Sequence, residues 1–186
     1  NEIVKSTETQ GEAAFTFANF GTIAHLYMQN AIEGIQTEIP KSEIIGLNGS
    51  KTKLAAIKKA CEKMRDEFLK TELASCALAS SWKRTEWEFR SRINTKEGER
   101  ILKGTMDLVF KDKQGNYTIV DFKTNQSVAP EIYYSQLACY RQALLQITGG
   151  KAKIKCILYY LRFAKPVDIT AECENTVIED AVSEVI

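Results

Sequence analysis

The chain has 186 residues, 44% of them hydrophobic and 26% charged, and a formal net charge of +1. That length accommodates one domain with a sizeable core, and that balance excludes an intrinsically disordered chain and one whose overall field draws nucleic acid, so any basic surface must be local. No apolar run reaches the length of a membrane span and the N-terminus lacks a signal-peptide pattern, so the cytoplasm is the expected compartment.

Residues Asn1 to Gln10 are polar, and without an initiating Met the sequence is expected to be an excised piece of a longer chain. A helix is predicted over Phe20 to Ile35, with Thr22 as its N-cap and the only histidine, His25, on a stripe with Met28, Ile32 and Ile35. On such a stripe His25 is either a satisfied core residue or a ligand. Lys41 to Ser50, with Gly46 and Gly49, reads as a loop or short broken helix. Leu54, Ile57, Cys61, Met64 and Phe68 recur at three- and four-residue steps, which predicts an amphipathic helix. Trp82, Thr85, Trp87, Phe89 and Ile93 favour a strand over Lys83 to Ile93, and Asn94 to Glu99 resembles a turn.

The most informative stretch follows. Ile101 to Phe110 alternates as a half-buried strand, with Leu102, Met106, Leu108 and Phe110 on one face and Thr105, Asp107 and Val109 on the other. Tyr117 to Lys123 is a second strand, placing Asp121 and Lys123 on one face. Asp112 to Asn116 suits a three-residue hairpin loop in which Gly115 takes the left-handed conformation. A turn centred on Gln114 sets Asp107 across from Asp121, with Cβ atoms roughly 5 Å apart. Two facing carboxylates repel. Either each is solvated or paired with Lys103, Lys123 or Arg100, or a divalent cation bridges them.

Beyond Lys123, a loop ends at Pro130 and a helix is predicted from there to Gln146, stopped by Gly149 and Gly150. Gln136 and Tyr140 fall on one stripe of it, with Tyr133 and Leu144. Ile154 to Leu161 reads as a buried strand, Pro166 to Thr170 as a short one, and Glu174 to Ile186 as a final helix. The five cysteines, Cys61, Cys76, Cys139, Cys156 and Cys173, contain no Cys-x-x-Cys pair and are read as reduced and mostly buried.

In this order, Gly21-Thr22-Ile23-Ala24-His25, Gly104-Thr105-Met106-Asp107-Leu108, Ile119-Val120-Asp121-Phe122-Lys123-Thr124 and Tyr133-Tyr134-Ser135-Gln136-Leu137-Ala138-Cys139-Tyr140 resemble the motifs of the RecB-type nucleases in the PD-(D/E)XK superfamily. The nearest likeness is to the nuclease domain of AddA-type helicase-nuclease subunits. The resemblance implies an α/β fold, a central mixed sheet flanked by helices with a restriction-endonuclease-like core. It implies that residues 1–186 form a single nuclease domain of a longer helicase-nuclease chain. Carried over, His25, Asp107, Asp121 and the carbonyl of Phe122 ligate Mg²⁺ or Mn²⁺, and Lys123 orients or activates the attacking water. Gln136, Tyr140, Thr22 and Glu86 support the site or contact DNA, although the pattern has Pro where Glu88 stands. The cysteine group of iron-sulfur relatives is missing, so no cluster is expected. Implied partners are a DNA single strand or duplex end, a helicase domain and a partner subunit, with no membrane.

The residues agree with that chemistry. Hydrolysing a phosphodiester needs an activated water and charge stabilisation at oxygen, which carboxylate-bound Mg²⁺ or Mn²⁺ supplies. Ser/His/Asp hydrolysis fits less well, because no nucleophile motif surrounds His25. No phosphate-loop pattern is present, so an ATP-driven motor does not lie within this sequence. The residues and the resemblance together lead to the expectation of a metal-dependent DNA nuclease, which the resemblance implies is an exonuclease acting on DNA ends in recombinational repair. The alternative is a catalytically silent DNA-binding or scaffolding module of the same fold.

Overall fold

A computed structural model of the chain describes residues 17–45, 51–96, 98–178 and 180–181. Its elements are α1 (Phe17–Glu33), α2 (Lys41–Ile45), α3 (Lys51–Leu69), α4 (Glu72–Ala79), β1 (Lys83–Thr95), β2 (Gly98–Lys111), β3 (Tyr117–Lys123), α5 (Tyr134–Ile147), β4 (Ile154–Tyr160), β5 (Lys165–Asp168) and α6 (Thr170–Asn175). Single 3-10 turns stand at Pro130–Tyr133 and Leu161–Phe163. Among these helices none is long and apolar enough to cross a membrane.

The strands form one five-stranded sheet in the order β1-β2-β3-β4-β5. All neighbours run antiparallel except β3 and β4, which are parallel. A parallel pair needs a crossover, and α5 supplies it. The expected mixed sheet flanked by helices is therefore present. One face packs against α5 and α6 through Phe89, Met106, Val109, Ile119, Leu137, Leu144 and Leu158. The other packs against α1, α3 and α4 through Ile23, Met28, Phe68, Leu108, Phe110, Val120, Phe122 and Tyr159. Every second residue of β3 and β4 serves one core or the other, which is why both strands are almost wholly buried.

The hairpin between β2 and β3 has the expected register: Leu108 pairs with Val120 and Lys111 with Tyr117. Its turn is closed by Asp112, whose N–H donates to the Asn116 carbonyl at 2.8 Å and whose carboxylate accepts from the N–H groups of Gln114 and Asn116. Gly115 has φ 89°, as that turn requires.

Several expectations are corrected. α1 begins before Thr22, so Thr22 is an exposed residue inside the helix and not its cap. Ile35 lies beyond the helix end and is exposed. α4, capped by Thr71 accepting from the Ala74 N–H, has no counterpart in the sequence reading. The final helix begins at Thr170 and breaks after Asn175, helical backbone returns at Ile178, Asp180 and Ala181, and 182–186 lie outside the described residues. The even alternation assigned to β2 fails at its centre, where Leu102 and Met106 join the α5 side while Leu108 and Phe110 join the α1 side. The physical reason lies opposite, on β1: Glu86 has φ 44°, a left-handed conformation that interrupts the pleat beside Asp107.

Candidate active site

The interrupted pleat is where the charged residues gather. Alternation would carry Asp107 away from its neighbours, yet Asp107 and Leu108 both serve the α1 side, which brings the Asp107 carboxylate under α1. His25 comes down from α1 onto it, with Nδ1 at 3.4 Å from Asp107 Oδ1 and 4.0 Å from Glu86 Oε1. One donor atom each from His25, Glu86 and Asp107 lies within 4.8 Å of the others. The second ring nitrogen, Nε2, is 2.9 Å from the Phe122 carbonyl. A carbonyl only accepts, so Nε2 carries the proton and Nδ1 is the nitrogen turned to the carboxylates. Asp107 Oδ2 accepts from the Phe122 N–H at 2.7 Å.

Asp121 stands apart from this trio. Its Oδ2 lies 2.6 Å from Lys123 Nζ, with both side chains largely buried. Lys123 also donates to Gln136 Oε1 at 3.3 Å, and Gln136 Nε2 donates to the Tyr140 hydroxyl at 2.8 Å. The Tyr133 ring caps the ammonium, its centroid 3.7 Å from Nζ. The predicted stripe on α5 thus reaches the predicted lysine on β3. Tyr140 also fixes Gly104: a Cβ there would stand 2.9 Å from both the Tyr140 and Phe89 rings, so only glycine lets β2 pass beneath them.

The electrostatics follow from crowding acids at the edge of a core. Burial pulls the His25 pKa down, but the Asp107 hydrogen bond and the charges of Asp107, Asp121 and Glu86 outweigh it and raise it to about 9. Burial and the Asp107 charge push Glu86 up. Burial first, then Asp107, push Asp121 above the usual carboxylate range despite its lysine. Among the described residues the cations that contact these acids are a protonated imidazole and one lysine, so the site is short of positive charge. A divalent cation fits it: ligand oxygens at about 2.1 Å place opposite donors about 4.2 Å apart, close to the separation found among His25, Glu86 and Asp107.

Of the four ligands expected, the structure brings His25, Asp107 and the Phe122 carbonyl together, while the Asp121 carboxylate pairs with Lys123 beside them. Glu86, assigned only a supporting place, is the third member of the cluster. Its signal was faint, because a glutamate among Trp and Phe in a strand announces nothing unless its backbone is known to turn. Thr22 lies one turn before His25 on α1 and is exposed. Arg141 pairs with Glu174 at 2.8 Å, and Lys151 lines a cleft beside Trp82.

The model of the PD-(D/E)XK nuclease superfamily matches residues 3–184. The chain belongs to this superfamily. Its members are nucleases that work with divalent metals, and the acidic cluster here is able to bind one. Among solved structures, the crystal structure of SSO0001 is similar over 87% of this chain and 74% of its own, at 18% identity and a TM-score of 0.37. No curated protein matches the chain.

Proposed function

We propose that this chain is a metal-dependent deoxyribonuclease of the RecB type, closest to the nuclease unit of AddA-like helicase-nucleases. In this reading residues 1–186 form one nuclease domain that works as an exonuclease on DNA ends in recombinational repair. A helicase domain of the same longer chain, and a partner subunit, deliver the strand. The observation that carries the reading is the meeting of His25, Glu86 and Asp107 within 4.8 Å beside the Asp121 to Lys123 ion pair.

His25, Glu86 and Asp107 would hold Mg²⁺ or Mn²⁺, with Asp121 close by, while the Phe122 carbonyl accepts from Nε2–H and aims the Nδ1 side of the ring at the ion. When bound, such an ion lowers the pKa of water and stabilises charge on phosphoryl oxygens. Phe122 fixes two of the ligands through its own backbone, so they are preorganised by a strand buried on both sides. Lys123, held by Asp121, Gln136 and the Tyr133 ring, is the cation placed to orient a water or a phosphate oxygen. Its ordered, capped ammonium also speaks against a silent scaffold, which has no use for a buried lysine trained on a cluster of acids.

The test is cleavage of labelled single-stranded and duplex DNA with Mg²⁺, with Mn²⁺ and with chelator. Metal-dependent loss of label from ends, abolished in Asp107→Asn, is the expected result. Cleavage that persists in chelator, or in Asp107→Asn at the parental rate, overturns the proposal.

A further inference from the structure

We infer that a cleft on the α5 side of the sheet is a second binding site, separate from the metal-binding cluster, for single-stranded nucleic acid. It has a volume of about 680 Å³ and lies where the start of β1, the end of β2 and the start of β3 meet the end of α5. Trp82, Trp87 and Tyr117 line it, and the chain has only two tryptophans. All three rings are half-buried. Trp82 stands edge to face with Trp87 at 5.7 Å and with Tyr117 at 5.3 Å.

Three charged side chains line the cleft, Arg84, Lys111 and Lys151, and each is a cation. In a chain with 25 basic and 24 acidic residues, this is a local basic surface that the net charge conceals. Arg84 lies over the Trp82 ring at 5.2 Å and Lys111 over Tyr117 at 5.4 Å. One face of each of these two rings thus already carries a cation. Behind them the Ser80 Oγ ties the start of β1 to the end of β2, lying 2.6 and 2.8 Å from the carbonyls of Trp82 and Lys111 and accepting from the N–H groups of both.

Aromatic faces alternating with cations, and no carboxylate among them, suit a polyanion that carries flat rings. Single-stranded nucleic acid has both features, its bases stacking on aromatic rings and its phosphates reaching the cations. An acidic peptide offers only the charge, and a duplex hides the base faces.

Because both tryptophans line the cleft, their fluorescence reports its occupancy. The probe is dodecathymidylate, titrated in chelator so that no cleavage occurs, against a blunt duplex and polyglutamate. Three cations give an expected slope of log affinity on log salt of about −2. Arg84→Gln and Lys151→Gln, both at exposed positions, should each weaken binding about fivefold at about 0.1 M salt, from a slope of about 0.7 per phosphate. Thermal midpoints of the variants verify folding, and metal-dependent hydrolysis of a mononucleotide nitrophenyl ester should be unchanged in both. Saturable quenching by the single strand alone, weakened in both variants, supports the site. Parental affinity in both variants overturns it, as does polyglutamate or duplex binding as tightly as the single strand. Loss of ester hydrolysis in the parent protein would instead count against the nuclease reading and leave this measurement standing.

Discussion

Proton competition at His25 is the sharpest consequence of the site. In the metal-free protein its pKa is raised from 6.5 to about 9 by Asp107, Asp121 and Glu86 against the opposing effect of burial. A metal ion at Nδ1 requires the neutral ring, and at about pH 7 only about one molecule in a hundred carries it. Affinity for Mn²⁺ should therefore rise about tenfold per pH unit from about pH 7 to about pH 9 and then level off, about one proton leaving per ion bound. An unperturbed histidine would level off near 6.5. Linkage gives a second reading of the same shift. The folded pKa lies above the unfolded one, so the stabilisation is complete below 6.5 and is lost as pH rises through about 9. Full conversion of the shift gives about 3 kcal/mol, and because the His25 side chain is 30% exposed a smaller loss is expected. The assay is calorimetric titration of Mn²⁺ in buffers of different ionisation enthalpy, without oxygen, on parent and His25→Ala. A parent that releases no proton at about pH 7, or a His25→Ala protein with the same slope, refutes the reasoning.

Three further outcomes follow from neighbouring residues. Glu86→Asn should leave stability unchanged or raise it by up to about 1 kcal/mol, since Asn accepts left-handed backbone and the repulsion with Asp107 is removed, while Mn²⁺ affinity falls at least about tenfold; parental affinity would remove Glu86 from the ligand set. Lys123→Met takes away the cation that holds Asp121 down, so the acid limb of the pH-rate profile of any residual cleavage should move to higher pH, and a limb that stays in place would dissociate Asp121 from it. Gly104→Ala puts a methyl 2.9 Å from two aromatic rings and should destabilise by about 1 to 3 kcal/mol, read as a lower thermal midpoint; an unchanged midpoint would mean the Tyr140 ring is not fixed there.

Much of this was legible in the sequence because local rules and tertiary packing agreed. The bounds of β3, Tyr117 to Lys123, are those that alternation and the turn predict, and Gly115 sets the register of its hairpin. The approach of Gln136 and Tyr140 to Lys123 followed from helical spacing joined to the family motif. What could not be read was the failure of alternation at Asp107. It depends on the left-handed backbone of Glu86 on a neighbouring strand, and Thr-Glu-Trp-Glu carries no glycine or asparagine to mark it. The same hidden turn explains why Glu86 was assigned only support. α4 escaped because an eight-residue Ala-rich segment is too short for its period to show.

Phe122 belongs to the core and to the site at once. Its ring is wedged edge to face between Phe68 of α3 and Tyr159 of β4, at 5.1 and 6.2 Å, while its N–H and carbonyl hold Asp107 and His25. A helix outside the cluster therefore sets the aim of two side chains within it. Trimming Phe68 would be felt as a drift of His25 and Asp107 before it was felt as unfolding, and a survey scoring only enzyme output would misfile α3 among the catalytic elements. Evolution faces the same confusion in reverse: the interior of this protein is not free to repack behind its chemistry, because one strand's backbone is the chassis for both.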